Sequence, residues 1–84
     1  MNKAEILIID DDIIFRMALK AMANGLGEVI ETESGEAGLA YLQLHNVDLI
    51  LLDLVMPTMS GFDVLHAISR QSNTAGTPVL VLSA

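Results

Sequence analysis

The sequence predicts a single α/β domain built on a parallel sheet, and three features of the chain indicate this. Four short runs rich in apolar and β-branched residues, at 6–9, 29–32, 49–52 and 79–82, have the length of strands. The three segments between them repeat apolar residues at helical spacing. Strands and helices alternate without a repeat or linker, which favours right-handed crossovers and helices on both faces of the sheet.

Each predicted helix begins at a polar residue and carries an apolar stripe that we expect to face the sheet. Asp12 and Ser34 are the expected N-caps of the first two helices, and Ser60–Asp63 has the spacing of a capping box before the third. The predicted stripes are Ile14, Met17, Ala18, Ala21 and Met22 in the first helix, Ala37, Ala40, Tyr41 and Leu44 in the second, and Gly61, Val64, Leu65 and Ile68 in the third.

Length and charge restrict the function classes open to the chain. Its 84 residues, 52% of them hydrophobic, suit one domain, and no apolar run approaches the roughly 20 residues that span a bilayer. A formal charge of −7 would repel a phosphate backbone, so direct nucleic-acid binding is not expected. The absence of cysteine excludes disulfides and thiolate metal sites. We therefore expect a cytoplasmic domain without membrane contact, whose ligand is a cation.

Polar side chains follow three of the four predicted strands. Asp10 and Asp11 come after the first strand, Asp53 after the third and Ser83 after the fourth. In an open parallel sheet these ends meet at one edge, where ligands bind. Clustered carboxylates stay ionised only with a compensating cation, and hard oxygen ligands select Mg²⁺, with Mn²⁺ as the alternative. The sequence predicts a Mg²⁺ site at this edge.

The ordered motifs Ile6–Asp12 with Arg16, Asp53–Pro57 with Gly61, and Leu82–Ala84 are similar to those of bacterial two-component response-regulator receiver domains. The resemblance covers essentially the whole chain. It implies a flavodoxin-like doubly wound parallel sheet, here incomplete, with four strands in the order 2-1-3-4 and three helices. Under this resemblance the chain is one receiver domain, 1–84, that lacks the C-terminal third and with it the lysine that the family carries after its fifth strand.

The resemblance also implies a set of metal ligands. Asp11 and Asp53 would bind Mg²⁺ through their side chains, and Val55 through its carbonyl oxygen. Asp10 would act mainly through metal-bound water. Asp12, by contrast, is interpreted as a helix cap with no metal role.

The same resemblance implies that Asp53 accepts a phosphoryl group from a phosphohistidine of a sensor histidine kinase or phosphotransfer protein. Ser83 would bond a phosphoryl oxygen after transfer, and Ala84 would leave room for the group. The expected chemistry is phosphorylation and autodephosphorylation of Asp53 alone, and the chain is not expected to be an enzyme on other substrates.

Two other functions stay open. The first is a fold-retaining interaction fragment that is not efficiently phosphorylated because the family lysine has no counterpart. The second is a Mg²⁺-dependent aspartate-nucleophile phosphohydrolase, whose pair of aspartates two residues apart is formally matched by Asp10 and Asp12. The hydrolase leaves the run 53–57 unexplained and needs more chain for a substrate cap. A nucleotide-binding fold is set aside because no G-x-G-x-x-G turn follows the first strand.

Four further residues receive no site role from the sequence. Arg16 matches a position that is often basic in the family, but a solvated helix residue explains it equally well. Met56 and Met59 are expected to fill gaps over the core. Asp48 is interpreted as loop polarity before the third strand.

The fourth strand, 79–82, is predicted to lie at the edge of the incomplete sheet. An apolar edge strand exposes unpaired backbone groups and favours pairing with another chain. We therefore expect self-association through this strand or an exchange of elements between chains.

Overall fold

The computed structural model describes residues 3–82, so the predicted phosphoryl contacts at Ser83 and Ala84 lie outside the described residues. The described chain alternates strands and helices throughout. In chain order the elements are β1 (Glu5–Ile9), α1 (Ile13–Ala23), β2 (Glu28–Thr32), α2 (Gly35–Leu44), β3 (Leu49–Leu52), α3 (Gly61–Arg70) and β4 (Val79–Val81).

The four strands form one parallel sheet in the order β2-β1-β3-β4. Ile9, the last residue of β1, pairs with Thr32 of β2 on one side and Leu52 of β3 on the other. The carboxyl ends of these three strands therefore lie side by side. The predicted fold, with four strands in the order 2-1-3-4 and three helices, is confirmed.

Both faces of the sheet are apolar, as expected for parallel strands that helices cover. Side chains alternate along each strand, so Leu7 and Ile9 point into the cluster under α2 and α3, while Ile6 and Ile8 point into the cluster under α1. Helix α1 packs mainly over β1 and β2. On this face of the sheet, the half formed by β3 and β4 therefore remains an apolar groove. Leucines line it, among them Leu49, Leu51, Leu80 and Leu82.

The predicted stripe of α1 is wrong. Ile14, Met17 and Met22 are 71%, 60% and 77% exposed, and both predicted alanines are exposed as well. The buried positions are instead Arg16, Leu19 and Ala23. The helix is apolar on most of its circumference, so spacing alone fits more than one face. In the observed rotation, Leu19 and Ala23 pack into the core and Arg16 bonds to the backbone at the end of β1.

The stripe of α2 is wrong in part, whereas that of α3 is confirmed. In α2 the residues that pack inward are Gly35, Gly38 and Leu42, while Leu44 is 81% exposed. The predicted Ala40 is also exposed, and Ala37 and Tyr41 are only partly buried. The glycines bring the helix close to the sheet, since a Cβ at Gly38 would lie 2.5 Å from Cδ1 of Ile9. The buried residues of α3 are Gly61, Val64 and Ile68.

Among residues 3–82, none of the helices combines the length and apolar character that crossing a bilayer requires. Met56 is buried in the core and Met59 packs against it, as expected of gap-filling methionines. Asp48 does more than its predicted loop role, because its Oδ2 accepts a hydrogen bond from the backbone N–H of Glu5 at 2.7 Å.

Candidate metal site

The carboxylates of Asp10, Asp11 and Asp53 meet at the carboxyl ends of β1 and β3. One oxygen from each lies within 4.8 Å of the others. Asp10 and Asp53 are buried, with 1% and 9% exposure, whereas Asp11 is exposed to solvent. The cluster therefore has a buried floor and an open side through which a ligand can enter.

Backbone hydrogen bonds from the sheet fix the two buried aspartates. The N–H of Asp10 donates to the carbonyl of Thr32 at 3.1 Å, and the N–H of Asp53 donates to the carbonyl of Ile9 at 3.0 Å. These bonds extend the parallel ladders by one residue beyond β1 and β3. The backbone that carries both side chains is therefore held by the sheet. A metal site needs such restraint if its ligands are to converge.

Each buried aspartate also uses one side-chain oxygen to shape the turn that follows it. Asp10 Oδ1 accepts from the N–H of Asp12 at 2.9 Å, and Asp53 Oδ1 accepts from the N–H of Val55 at 3.0 Å. Such turns are local features of aspartate and need no ligand. Asp12 in turn caps α1, accepting from the N–H groups of Ile14 and Phe15, so its predicted role is confirmed.

The other oxygen of Asp10, Oδ2, is buried and has no hydrogen-bond partner among the described residues. An unpaired buried carboxylate oxygen is costly, and a native structure needs a reason for it. A hard cation supplies that reason, because oxygen ligands in a negatively charged cluster are what Mg²⁺ binds. The residues present therefore fit a divalent cation.

Burial raises the pKa of Asp10, and the negative charges of Asp53, Asp11 and Asp12 raise it further. The hydrogen bond from the N–H of Asp12 opposes this effect without cancelling it. Without a cation, the folded chain thus holds a proton on Asp10 more readily than the unfolded chain, for which 3.8 is the ordinary pKa.

We expect the metal-free chain to lose stability as the pH rises from 3.8 through the raised pKa of Asp10, because a raised pKa favours the folded state only while the group is protonated. Asp10→Asn should weaken this pH dependence and raise the free energy of unfolding at neutral pH by on the order of 1 kcal/mol. Urea titrations at several pH values measure both effects. An identical pH dependence in the two chains would contradict the assignment to Asp10.

The turn after Asp53 is held by the start of α3. The N–H of Gly61 donates to the carbonyl of Leu54 at 2.9 Å, and the hydroxyl oxygen of Ser60 accepts from the N–H of Asp63 as the N-cap. A Cβ at Gly61 would lie 2.4 Å from Cα of Leu54 and 2.6 Å from the carbonyl oxygen of Asp53. This close approach explains why a glycine stands where α3 meets the turn.

Comparison with known proteins decides the family. The sequence model of the response regulator receiver domain matches residues 6–84. The chain belongs to the response-regulator receiver family of two-component signalling. The motifs used to infer the resemblance, at 6–12, 53–57 and 82–84, all lie within the matched region.

The curated relatives that this receiver domain matches differ in length. It is 32% identical to protein PilH of Pseudomonas aeruginosa, with 95% of this chain and 67% of PilH covered. It is 33% identical to a probable transcriptional regulator, ycf27, of Cyanophora paradoxa, with all of this chain and 34% of the relative covered. The chain therefore spans about two thirds of PilH and about one third of the regulator.

Solved receiver structures share the fold. Chemotaxis protein CheY4 of Vibrio cholerae is 32% identical with a TM-score of 0.88, over 94% of this chain and 67% of CheY4. The N-terminal domain of a receiver protein from Methanoculleus marisnigri is 34% identical with a TM-score of 0.88, over 95% of this chain and 66% of that chain. Receiver domains generally carry an acidic metal pocket and serve as signalling modules, and this chain brings three aspartates together at the carboxyl ends of β1 and β3.

Sequence reasoning missed the burial and the contacts of Arg16 in this receiver domain. Its interpretation as a solvated residue is wrong, since only 8% of the residue is exposed. Its Nη1 donates to the carbonyl oxygen of Asp10 at 2.7 Å, and its Nε lies 3.6 Å from Oε1 of Glu31. A cation four residues after the cap, within the otherwise apolar run 13–19, was the available signal.

Proposed function

We propose that this receiver domain, residues 1–84, accepts a phosphoryl group on Asp53 from a phosphohistidine of a sensor histidine kinase or phosphotransfer protein, with Mg²⁺ bound beside it. The observation that carries the proposal is the cluster of three carboxylates, which contribute oxygens within 4.8 Å of one another and include a buried Asp10 Oδ2 without a hydrogen-bond partner among residues 3–82. A structural aspartate turn needs neither three acids nor such an oxygen.

Asp10, Asp11, Asp53 and the carbonyl of Val55 are the groups that we propose to hold the ion. When bound, Mg²⁺ neutralises charge on the carboxylates and on the phosphoryl oxygens, which lets two anionic reactants meet. The chain contributes positions: ladder bonds hold Asp10 and Asp53, and the Val55 N–H orients the Asp53 carboxylate. Mn²⁺ offers the same oxygen preference.

In the proposed transfer, a carboxylate oxygen of Asp53 attacks phosphorus in line with the leaving nitrogen. The O–P bond forms as the P–N bond breaks. The imidazole of the donor leaves as a neutral ring, with a proton taken from an acidic group of the donor protein or from solvent. Attack of water on phosphorus later releases inorganic phosphate and restores the carboxylate. Ser83 and Ala84 are proposed as the hydroxyl contact and the small neighbour of the phosphoryl group.

Exposed apolar side chains next to the cluster support a macromolecular donor. Ile13 and Ile14, which follow the Asp12 cap directly, are 59% and 71% exposed, and Met17 is 60% exposed. Across the site, Val55 is 66% exposed. Apolar surface flanking a polar centre is typical of protein interfaces. A protein that carries the phosphohistidine can therefore bury this surface as it delivers the group.

Removal of the metal tests the proposal. We expect acetyl phosphate to add the mass of one phosphoryl group to the chain in Mg²⁺, and to add none in excess chelator, because the clustered charges then repel the donor. Intact-mass spectrometry measures the labelled fraction. Equal labelling in Mg²⁺ and in chelator would contradict the metal-dependent mechanism.

A fold-retaining interaction fragment is the second candidate function. The observation that favours it concerns the lysine that the family carries near the phosphoacceptor. Lys20, the lysine of α1, pairs with Glu31 at 3.5 Å and therefore does not take the place of that lysine. The same labelling experiment separates the two functions, because a folded chain that takes up no phosphoryl group in Mg²⁺ would support the interaction fragment. The phosphohydrolase is not proposed further, since receiver domains are signalling modules.

We also propose that a second copy of the chain pairs with β4. This strand ends the sheet, Leu80 and Val81 are 53% and 41% exposed, and the adjoining apolar groove measures about 230 Å³. Strand pairing would satisfy the outer backbone groups and cover the groove. We expect a concentration-dependent dimer in sedimentation equilibrium that Leu80→Lys weakens. A monomeric wild-type chain at all concentrations would contradict this pairing.

A further inference from the structure

We propose that Arg16 is a positioning residue of the metal site, which holds the peptide between Asp10 and Asp11 in the orientation that cation binding requires. The inference rests on the proposed function and adds a residue that contributes no ligand atom. Arg16 lies on the buried face of α1, and its Nη1 donates to the carbonyl oxygen of Asp10 at 2.7 Å.

The bond from Arg16 completes the restraint of Asp10. The N–H of Asp10 is held by the carbonyl of Thr32, and its Oδ1 is held by the N–H of Asp12. The Asp10 carbonyl belongs to the planar peptide that leads into Asp11, so fixing its direction fixes the plane from which Asp11 departs. Asp11 is the exposed member of the cluster, so its position depends more on its backbone than that of the two buried members does.

A role in stability alone does not account for an arginine at this position. The other two buried positions on the same face of α1, Leu19 and Ala23, are apolar. Burial of a cation costs desolvation, and apolar replacement of buried ion pairs is often neutral or stabilising. The arginine therefore requires a reason connected with the group that it contacts.

Glu31 supports Arg16 from the neighbouring strand. Its Oε1 lies 3.6 Å from Nε of Arg16, and its Oε2 lies 3.5 Å from Nζ of Lys20. The Arg16 side chain is 10% exposed and the Glu31 side chain 30%, so the ion pair is sheltered on one side only. The planar guanidinium serves both partners at once, through Nη1 to Asp10 and through Nε to Glu31. Glu31 thus orients Arg16 without touching the carboxylate cluster.

The test compares Mg²⁺ binding by the wild-type chain with that of Arg16→Met, Arg16→Lys and Glu31→Gln, by isothermal titration calorimetry. Arg16→Met keeps the stem and removes the donors, and we expect its dissociation constant to rise about tenfold, as for loss of partners that orient metal ligands. Arg16→Lys keeps the charge and should recover part of the affinity. Glu31→Gln leaves the donor to Asp10 in place and should have the smallest effect.

Two further readouts separate positioning from folding. In the metal-free chain, Arg16→Met should speed hydrogen exchange at the amides of Asp11 and Asp12 while leaving those of β3 unchanged. In phosphorylation by acetyl phosphate, the Mg²⁺ concentration at half-maximal rate should rise about tenfold, whereas the rate at saturating Mg²⁺ should return close to the wild-type rate. A purely structural role predicts a lower melting temperature with unchanged Mg²⁺ affinity of the folded chain.

Each outcome bears on the proposal. Wild-type affinity in folded Arg16→Met would overturn it, even if the wild-type chain is labelled on Asp53 and the proposed function stands. If Arg16→Met does not fold, wild-type affinity in Arg16→Lys together with unchanged exchange at Asp11 would overturn it instead. A wild-type chain that binds no Mg²⁺ would overturn both this inference and the metal-dependent function.

Discussion

Asp53→Asn is expected to take up no phosphoryl group from acetyl phosphate or from a phosphohistidine donor, in Mg²⁺ at any concentration. An amide oxygen is far less nucleophilic than a carboxylate, and the variant also removes one of the three charges of the cluster. The asparagine oxygen can still accept from the N–H of Val55, the 3.0 Å bond that shapes the turn. We therefore expect a folded variant, and intact mass with circular dichroism measures both properties.

Asp63→Asn is the matched control for Asp53→Asn. Asp63 is an exposed aspartate in the first turn of α3, and its Oδ2 lies 3.2 Å from the hydroxyl of Ser60. The change of charge and shape is the same as at Asp53, but Asp63 is not one of the three clustered carboxylates. This control should be labelled as the wild-type chain is, and labelling of Asp53→Asn to that same extent would rule out Asp53 as the acceptor.

Gly61→Ala is expected to destabilise the chain by roughly 2–3 kcal/mol, within the range of overpacked cores. The added Cβ would lie 2.4 Å from Cα of Leu54 and 2.6 Å from the carbonyl oxygen of Asp53. Both are backbone atoms, so relief requires that the turn after β3 or the start of α3 moves. Urea unfolding measures the loss, and phosphorylation should fall as well because this turn directly follows Asp53, the proposed acceptor.

Gly25→Ala is the control for Gly61→Ala, because a Cβ at Gly25 would meet no atom within 4 Å. Its free energy of unfolding should stay within about 0.5 kcal/mol of the wild-type value, as for most surface substitutions. Equal stability of Gly61→Ala and Gly25→Ala would show that the turn adapts without cost. The close contact would then have no part in holding Asp53.

The sheet and the placement of the acids could be predicted because they depend on local rules. Continuous apolar runs identify buried parallel strands, and Asp10 and Asp53 directly follow two such runs. Parallel order then brings strand ends to one edge without any knowledge of side-chain packing. The caps at Asp12 and Ser60 could be predicted for the same reason, since their bonds span only two or three residues.

The rotation of α1 and the role of Arg16 could not be predicted by the same rules. The apolar spacing of α1 fits several faces, and the observed face includes a bond from Arg16 to Asp10 and an ion pair from Arg16 to Glu31, contacts with a backbone carbonyl and with a residue distant in sequence. Hydropathy places an arginine in solvent, whereas here the paired charge makes its burial tolerable. The inward face of α2 was missed because Gly35 and Gly38, which carry no apolar side chain, lie at its closest approach to the sheet.

Chemical identification of the phosphorylated residue tests most directly whether Asp53 is the acceptor in this receiver domain. The wild-type chain is treated with acetyl phosphate in Mg²⁺, reduced with borohydride, which converts an aspartyl phosphate to homoserine, and mapped by peptide mass spectrometry. We predict homoserine at position 53 and at no other aspartate. Homoserine at position 10 or 11, or no homoserine in a folded and Mg²⁺-bound chain, would contradict phosphorylation of Asp53.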